Sequence, residues 1–272
     1  MVLTEIQTLA IEAIMEACHA VMEIYRNPIP WEEKSDGSPV TQADLASSSI
    51  IQGKLKQTSI PIIEEESPHE TYQKRALWTQ CWCVDPLDGT KEFIKKNDEF
   101  SINIALLSTG VPLFGVIAIP VQSKLVFGGP DIGAYVATFD NQSTLSDPIR
   151  IIPKPNQQKT FTIITSRSHR SEKTDVYLSA ITPPNVPTKT LYRGSAIKFV
   201  DLALGLAQIY IRDTPTMEWD VAAGQAILRG VGGNVVDIDS KKALVFNKKS
   251  LLNPGFIATT NLSLLGWQIG EF

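Results

Sequence analysis

A chain of 272 residues, 43% hydrophobic and 20% charged, can bury a large core in one domain or two packed lobes, which excludes a disordered protein. Its net charge of -4, with no long basic run, argues against a nucleic-acid polymer as partner, although a small anion would need only a local basic pocket. No apolar run reaches membrane-spanning length and no basic-then-apolar leader pattern opens the chain, so a cytoplasmic protein with Cys18, Cys81 and Cys83 reduced is expected, without a membrane partner.

Thr4-Glu5-Ile6-Gln7 has the form of a capping box, and Ile6, Leu9, Ala10, Ala13, Ile14, Ala17, Val21 and Ile24 recur at helical spacing. This predicts one amphipathic helix over residues 4–25, ended by Asn27-Pro28 and Pro30. His19 is a packing or surface residue within it. Asp36-Gly37 reads as a turn. Thr41 and Asp44 form a second capping box, which opens a helix running past Ile50, Ile51 and Leu55 and accounts for both residues. Ile60 to Ile63 reads as a strand entering Glu64-Glu65-Glu66-Ser67, by itself a solvated acidic loop, and His69 follows in an exposed Pro-rich segment.

Leu77 to Val84 is apolar and rich in large side chains, which suits a buried strand. Asp85-Pro86-Leu87-Asp88-Gly89-Thr90 then places two carboxylates three residues apart where that strand is expected to end, with Pro86 fixing a turn. Two acids held this close repel one another unless a cation lies between them. Gly89 would let the backbone approach a ligand, and Thr90 offers a hydroxyl at a helix start. Taken alone, the same residues also make an ordinary capped turn.

Four short β-rich runs follow, Ser101 to Leu107, Leu113 to Ile119, Lys124 to Phe127 and Ala134 to Thr138, which predict an antiparallel meander packed on the first two helices. The polar stretch from Asp140 to Asp147 is the expected lobe boundary, dividing an N-terminal α+β lobe (1–142) from a C-terminal α/β lobe (143–272). In the second half strands (160–165, 188–192, 208–211) alternate with helices (174–181, 195–206, 220–229), the pattern of a mostly parallel or mixed sheet. Ser166-Arg167-Ser168-His169-Arg170 follows a strand, and Gly194-Ser195-Ala196-Ile197-Lys198 opens a helix. Backbone N–H groups, hydroxyls and cations in such segments suit an anion, though each could be an ordinary surface loop or cap. Asp220, in Glu218-Trp219-Asp220, could likewise be a helix cap, and the Ala222-Ala223-Gly224 run after it suits tight packing against the aspartate loop.

Asp85-Pro86-Leu87-Asp88-Gly89-Thr90-Lys91-Glu92-Phe93 resembles the signature of the lithium-sensitive, magnesium-dependent phosphomonoesterases, the superfamily of inositol monophosphatase. The Lys-Glu-Phe ending resembles the CysQ-type 3'(2'),5'-bisphosphate nucleotidases, where inositol monophosphatases usually carry Thr-Asn-Phe. Matching segments come in the expected order over nearly the whole chain: Asp36 to Asp44, Glu65-Glu66-Ser67, the two anion-binding segments, Tyr210-Ile211-Arg212 and Trp219-Asp220. The resemblance implies a two-lobed layered αβαβα sandwich of the α/β (α+β) class, with an N-terminal helix pair on an antiparallel sheet, a C-terminal mixed sheet with flanking helices, and the active site between them.

It further implies Glu65, Asp85, Asp88, Asp220 and the Leu87 carbonyl as metal ligands. An all-oxygen set selects Mg²⁺, in two or three ions, with Mn²⁺ as a substitute. Asp36 and Thr90 would be catalytic through the attacking water. Gly89, Thr90, His169, Gly194, Ser195, Lys198, Arg212 and Asp220 would contact substrate. The implied reaction removes the 3'-phosphate of 3'-phosphoadenosine 5'-phosphate to give AMP, with the 5'-phosphosulfate precursor and inositol 1,4-bisphosphate as side substrates. The alternatives are an inositol monophosphatase-like or sugar phosphatase, against which Lys91-Glu92-Phe93 speaks, and a catalytically silent binder. Monomer and homodimer stay equally open.

Overall fold

The computed structural model describes residues 2–35, 37–152, 160–166, 177–178, 181–182 and 186–266. Helix α1 (Glu5–Tyr25) opens on its capping box, with Gln7 N–H donating to Thr4 Oγ1 and Thr4 N–H to Gln7 Oε1. A hairpin of β1 (Trp31–Glu33) and β2 (Pro39–Thr41) leads to α2 (Gln42–Leu55), which starts on the second box, Thr41 N–H donating to Asp44 Oδ2 at 2.7 Å. Both helices lie on a seven-stranded sheet made of β3 (Ile62–Glu64), β4 (Gln80–Asp88), β5 (Ser101–Ser108), β6 (Val111–Ile119), β7 (Lys124–Gly129), β8 (Gly133–Thr138) and β9 (Ile149–Arg150), in that order. Only the β3–β4 pair is parallel among these neighbours. Short helices α3 (Tyr72–Arg75) and α4 (Thr90–Ile94) flank β4.

The alternation on β4 sets the layers. Trp82 and Val84 enter the core shared with α1 and α2, while Cys81 and Cys83 enter the opposite core. That second core is filled by α5 (Ile197–Ala203) and α6 (Ala222–Gly230), which lie between the first sheet and a second. The second sheet runs β11 (Thr188–Arg193), β10 (Phe161–Ser166), β12 (Ile209–Arg212), β16 (Phe256–Thr259), β14 (Asn234–Asp237). It is parallel at β10–β11 and β10–β12 and antiparallel at β12–β16 and β14–β16. Its outer face packs on Tyr177, Leu178, Ile181 and the 3₁₀ turn Leu262–Leu265, completing the αβαβα order. A two-stranded ribbon, β13 (Thr216–Met217) with β15 (Leu252–Asn253), stands apart.

Several local expectations differ from the structure. Leu77 is outside β4 and 81% exposed, because the chain there is still turning out of α3, Leu77 N–H donating to Lys74 O. The strand starts at Gln80 and runs through the motif to Asp88 instead of stopping before it. Asp85 pairs with Asn103 and Asp88 with Ser101, so β4 carries one residue more than β5 over that interval, a bulge at Pro86, which has no N–H for the ladder. Ser47 Oγ of α2 donates to Pro86 O at 2.6 Å and holds the bulge from below.

Asp220 sits in a 3₁₀ turn, Glu218–Asp220, ahead of α6, and not in the first turn of an α-helix. The Ala-Ala-Gly run packs elsewhere than expected. A Cβ on Gly115 of β6 would stand 2.4 Å from Ala223 O, and one on Gly224 would stand 2.3 Å from the Phe199 ring, so this helix face meets β6 and α5 rather than the aspartate loop. The helix expected at 174–181 falls mostly outside the described residues.

Candidate active site

The β4 bulge and the 3₁₀ turn before α6 deliver three aspartates to one point. One carboxylate oxygen from each of Asp85, Asp88 and Asp220 lies within 4.8 Å of the others. Each acid is fixed by a donor: Leu87 N–H to Asp85 Oδ1 at 3.0 Å, Asn103 Nδ2 to Asp88 Oδ2 at 3.2 Å, and Met217 N–H to Asp220 Oδ2 at 2.8 Å. The turn that carries Asp220 is anchored by buried Glu218, which accepts from Asn247 N–H at 2.5 Å, Lys248 N–H at 3.0 Å and Lys248 Nζ at 2.6 Å.

Burial, followed by the charges of Glu65, Asp88 and Asp220, pushes the Asp85 carboxyl well above the ordinary carboxylate range. Burial, then Asp88 and Glu65, does the same to Asp220. Asp88 is pushed up to about 6 by burial, although the Lys198 charge and the Asn103 hydrogen bond pull it down. Three clustered acids, each with its ionisation opposed by its surroundings, form a donor set suited to a hard cation, since carboxylate oxygens with no His or Cys favour Mg²⁺-type ions.

Glu65 does not join the trio directly. Its Oε1 is 3.0 Å from Lys34 Nζ, while its charge is felt by all three aspartates. Its neighbours point elsewhere. Glu64 is buried beside α2, where its Oε2 accepts from Ser67 Oγ at 2.8 Å and from Gln52 Nε2. Glu66 Oε1 meets Lys34 Nζ at 2.5 Å. Leu87 is buried, and its carbonyl faces Thr90 Oγ1 at 3.4 Å.

Thr90 opens α4, and its hydroxyl donates to Asp44 Oδ1 at 3.1 Å. Asp44 is buried. Burial raises its carboxyl, while Thr41 Oγ1 (2.6 Å), Thr41 N–H and Thr90 favour the ionised form. This residue was accounted for by capping alone in the sequence, and nothing local could have given it a second role. Its partner in that role is far away in the chain. Asp36 and His169 lie outside the described residues.

Beside the aspartates opens a cavity of about 350 Å³, lined among others by Asp88, Gly89, Ser195, Lys198, Arg212 and Asp220. Lys198 is buried. Its Nζ donates to the Ser195 carbonyl and lies 5.3 Å over the Tyr210 ring. Burial lowers its ammonium to about 8 in spite of the nearby Asp88 charge. Arg212 donates through Nε to Thr214 O at 3.3 Å. Gly89 adopts φ +96° between the aspartate loop and the Ser195 side chain, where a Cβ would be 3.4 Å from Ser195 Cβ. Tyr210 and Phe256 line the same space and give it apolar walls. The cavity thus gathers acidic, cationic and aromatic side chains, with the Lys198 and Asp88 charges near enough to act on one another.

The profile described as "Inositol monophosphatase family" matches residues 2–269. The chain is 36% identical over 244 residues to the 3'(2'),5'-bisphosphate nucleotidase CysQ of Salmonella typhimurium, covering 88% of this chain and 94% of that protein. It is 35% identical to the CysQ of Escherichia coli K12 over 241 residues, 87% and 92% of the two chains. Among solved structures, CysQ from Bacteroides thetaiotaomicron superposes with a TM-score of 0.83 at 35% identity, covering 94% of this chain and 97% of that one. An inositol monophosphatase from Thermotoga maritima, at 20% identity and a TM-score of 0.74, shares the fold.

Proposed function

The chain belongs to the inositol monophosphatase family, and from that premise we propose that it is a metal-dependent 3'(2'),5'-bisphosphate nucleotidase that removes the 3'-phosphate of 3'-phosphoadenosine 5'-phosphate, giving AMP and phosphate. One observation carries the choice of substrate. The aspartate trio opens into a cavity that also bears Lys198, Arg212 and the rings of Tyr210 and Phe256, so a substrate with a second phosphate and a flat base matches it better than a monophosphate of a polyol. Likeness to the CysQ nucleotidases over most of both chains supports the same reading.

Asp85, Asp88 and Asp220, with Glu65 and the Leu87 carbonyl at their side, would hold Mg²⁺ or Mn²⁺. When bound, such ions neutralise charge on the phosphate and make a nearby water a better nucleophile. The chain's own residues supply the rest. Thr90 Oγ donates to Asp44, so its lone pairs are free to accept a hydrogen bond from a water, and that water's proton can pass through the hydroxyl to the carboxylate. Thr41 keeps Asp44 oriented for this task and favours its ionised form against the effect of burial. Asp36 is assigned a part in the same step by the family resemblance alone. N–H groups at the Gly89–Thr90 helix start would meet the reacting phosphate, Lys198 and Arg212 would hold the 5'-phosphate, and Ser195 and Gly194 would seat the nucleotide, a part that the family resemblance alone also assigns to His169. No covalent phosphoenzyme is required.

The test is a kinetic panel with Mg²⁺ on 3'-phosphoadenosine 5'-phosphate, its 5'-phosphosulfate counterpart, inositol 1,4-bisphosphate, inositol monophosphate and fructose bisphosphate. The nucleotide should have the highest kcat/KM. A preference for inositol monophosphate or the sugar would overturn the nucleotidase reading and leave a phosphatase of the same family.

A further inference from the structure

Glu99, between α4 and β5, has no place in the chemistry described so far, yet it touches both halves of the cavity wall. Its Oε2 accepts the Gly194 N–H at 3.0 Å, while its Oε1 lies 3.9 Å from Arg193 Nη1. Arg193 in turn donates through Nε to Asp201 Oδ2 of α5 at 3.0 Å. The Glu99 backbone is wedged as tightly as its side chain is bonded. A Cβ on Gly194 would stand 2.6 Å from the Glu99 carbonyl oxygen, and one on Gly89 would stand 3.1 Å from it. Gly89 directly follows Asp88, and Gly194 directly precedes Ser195, so one residue touches both the aspartate loop and the nucleotide-facing loop, which also meet at Gly89 and Ser195.

That second loop needs holding. Ser195 is at φ +46°, a region that non-glycine residues rarely occupy, and Gly194 is buried, so its N–H would be costly to leave unbonded. The Ser195 carbonyl is also the acceptor for Lys198 Nζ. A shift at Gly194 would therefore move both Ser195 and the ammonium that faces Asp88.

We propose that Glu99 is a positioning residue that sets substrate affinity: its carboxylate holds the Gly194–Ser195 loop, and through it Lys198, at a fixed distance from the aspartate trio. Glu99 touches no reacting atom. Contacts made by Ser195 and Lys198 to the non-reacting part of the substrate are equal in ground and transition states, so loosening them raises KM and leaves kcat close to its native value. The proposal rests on the phosphatase reading of the cavity.

The experiment compares wild type, Glu99→Ala and Glu99→Gln as full-length, Mg²⁺-loaded proteins, by melting temperature, by calorimetric titration of 3'-phosphoadenosine 5'-phosphate with Ca²⁺ in place of Mg²⁺, and by steady-state kinetics. Glu99→Ala should weaken nucleotide binding and raise KM by roughly tenfold or more, with kcat within about threefold. Glu99→Gln keeps an oxygen for the Gly194 N–H and should recover most of that affinity. Unchanged affinity and KM in Glu99→Ala would overturn the proposal. So would a loss of kcat and melting temperature common to both variants, the mark of a purely structural residue. A wild-type protein that binds the nucleotide but hydrolyses no phosphomonoester would sink the phosphatase reading, and the titration would still decide the role of Glu99.

Discussion

On the proposed mechanism, single side chains separate binding from chemistry. Thr90→Ala removes the hydroxyl between Asp44 and the water, and Asp44→Asn removes the proton acceptor behind it; each should lower kcat by about 10²–10⁴-fold with little change in KM. Steady-state kinetics check this, and a rise in KM alone would move the pair out of catalysis. Lys198→Ala and Arg212→Ala should raise KM for the bisphosphate by roughly 10- to 150-fold, the cost of one lost contact to a charged group, and barely affect adenosine 3'-phosphate. Equal losses on both substrates would show that these cations serve the reacting phosphate or the fold. Asp85, Asp88 and Asp220 were legible in the sequence through the family resemblance, since each taken alone could be an ordinary turn or cap. The structure brings them within ligand distance of one another. Asp44 was not legible, since a cap explained it completely, and Glu99 was not, since its partners Gly89 and Gly194 lie in different halves of the chain.

Elements were easier to read where one face is buried and the other is not. α1 and α2 carry cap residues at the predicted positions because Thr-x-x-Gln and Thr-x-x-Asp satisfy orphan N–H groups locally, with no help from the rest of the fold. The meander strands likewise follow their apolar runs. β13, β15 and the two-residue β9 could not be seen, because strands this short owe their existence to a neighbour and not to their own composition. α6 is held by a contact no pattern announces, the approach of Ala223 to Gly115. Gly115→Ala should therefore destabilise the protein by about 1–3 kcal/mol, read as a lower denaturation midpoint in urea, because backbone and not a flexible side chain lies in the way. An unchanged midpoint would mean that α6 can slide on β6 freely.

For the molecule as a whole, the aspartate trio is a stored repulsion. A carboxyl whose value is raised in the folded chain holds a proton that the unfolded chain has already released, so the metal-free protein should gain stability as pH falls through about 6 and level off near the unfolded value of 3.8. Melting temperatures of EDTA-treated protein at pH 8 and at pH 5.5 check the sign, and a higher value at pH 8 would contradict it. Mg²⁺ added at pH 8 should supply the same relief and raise the melting temperature with Mg²⁺ concentration. Chelation should also abolish hydrolysis, and Asp88→Asn should lose most activity while staying folded; full turnover in EDTA would refute the metal assignment.

The bulge in β4 carries a lesson in parity. In a regular strand, residues three apart point to opposite faces, so Asp85 and Asp88 would be parted by the sheet itself. One surplus residue between them changes the count from odd to even and turns both toward the same side. A redesign that kept every residue but drew them into a regular ladder would improve the sheet by every local criterion and send one aspartate into the wrong layer. The defect in the strand is the feature that makes an active site possible at its end.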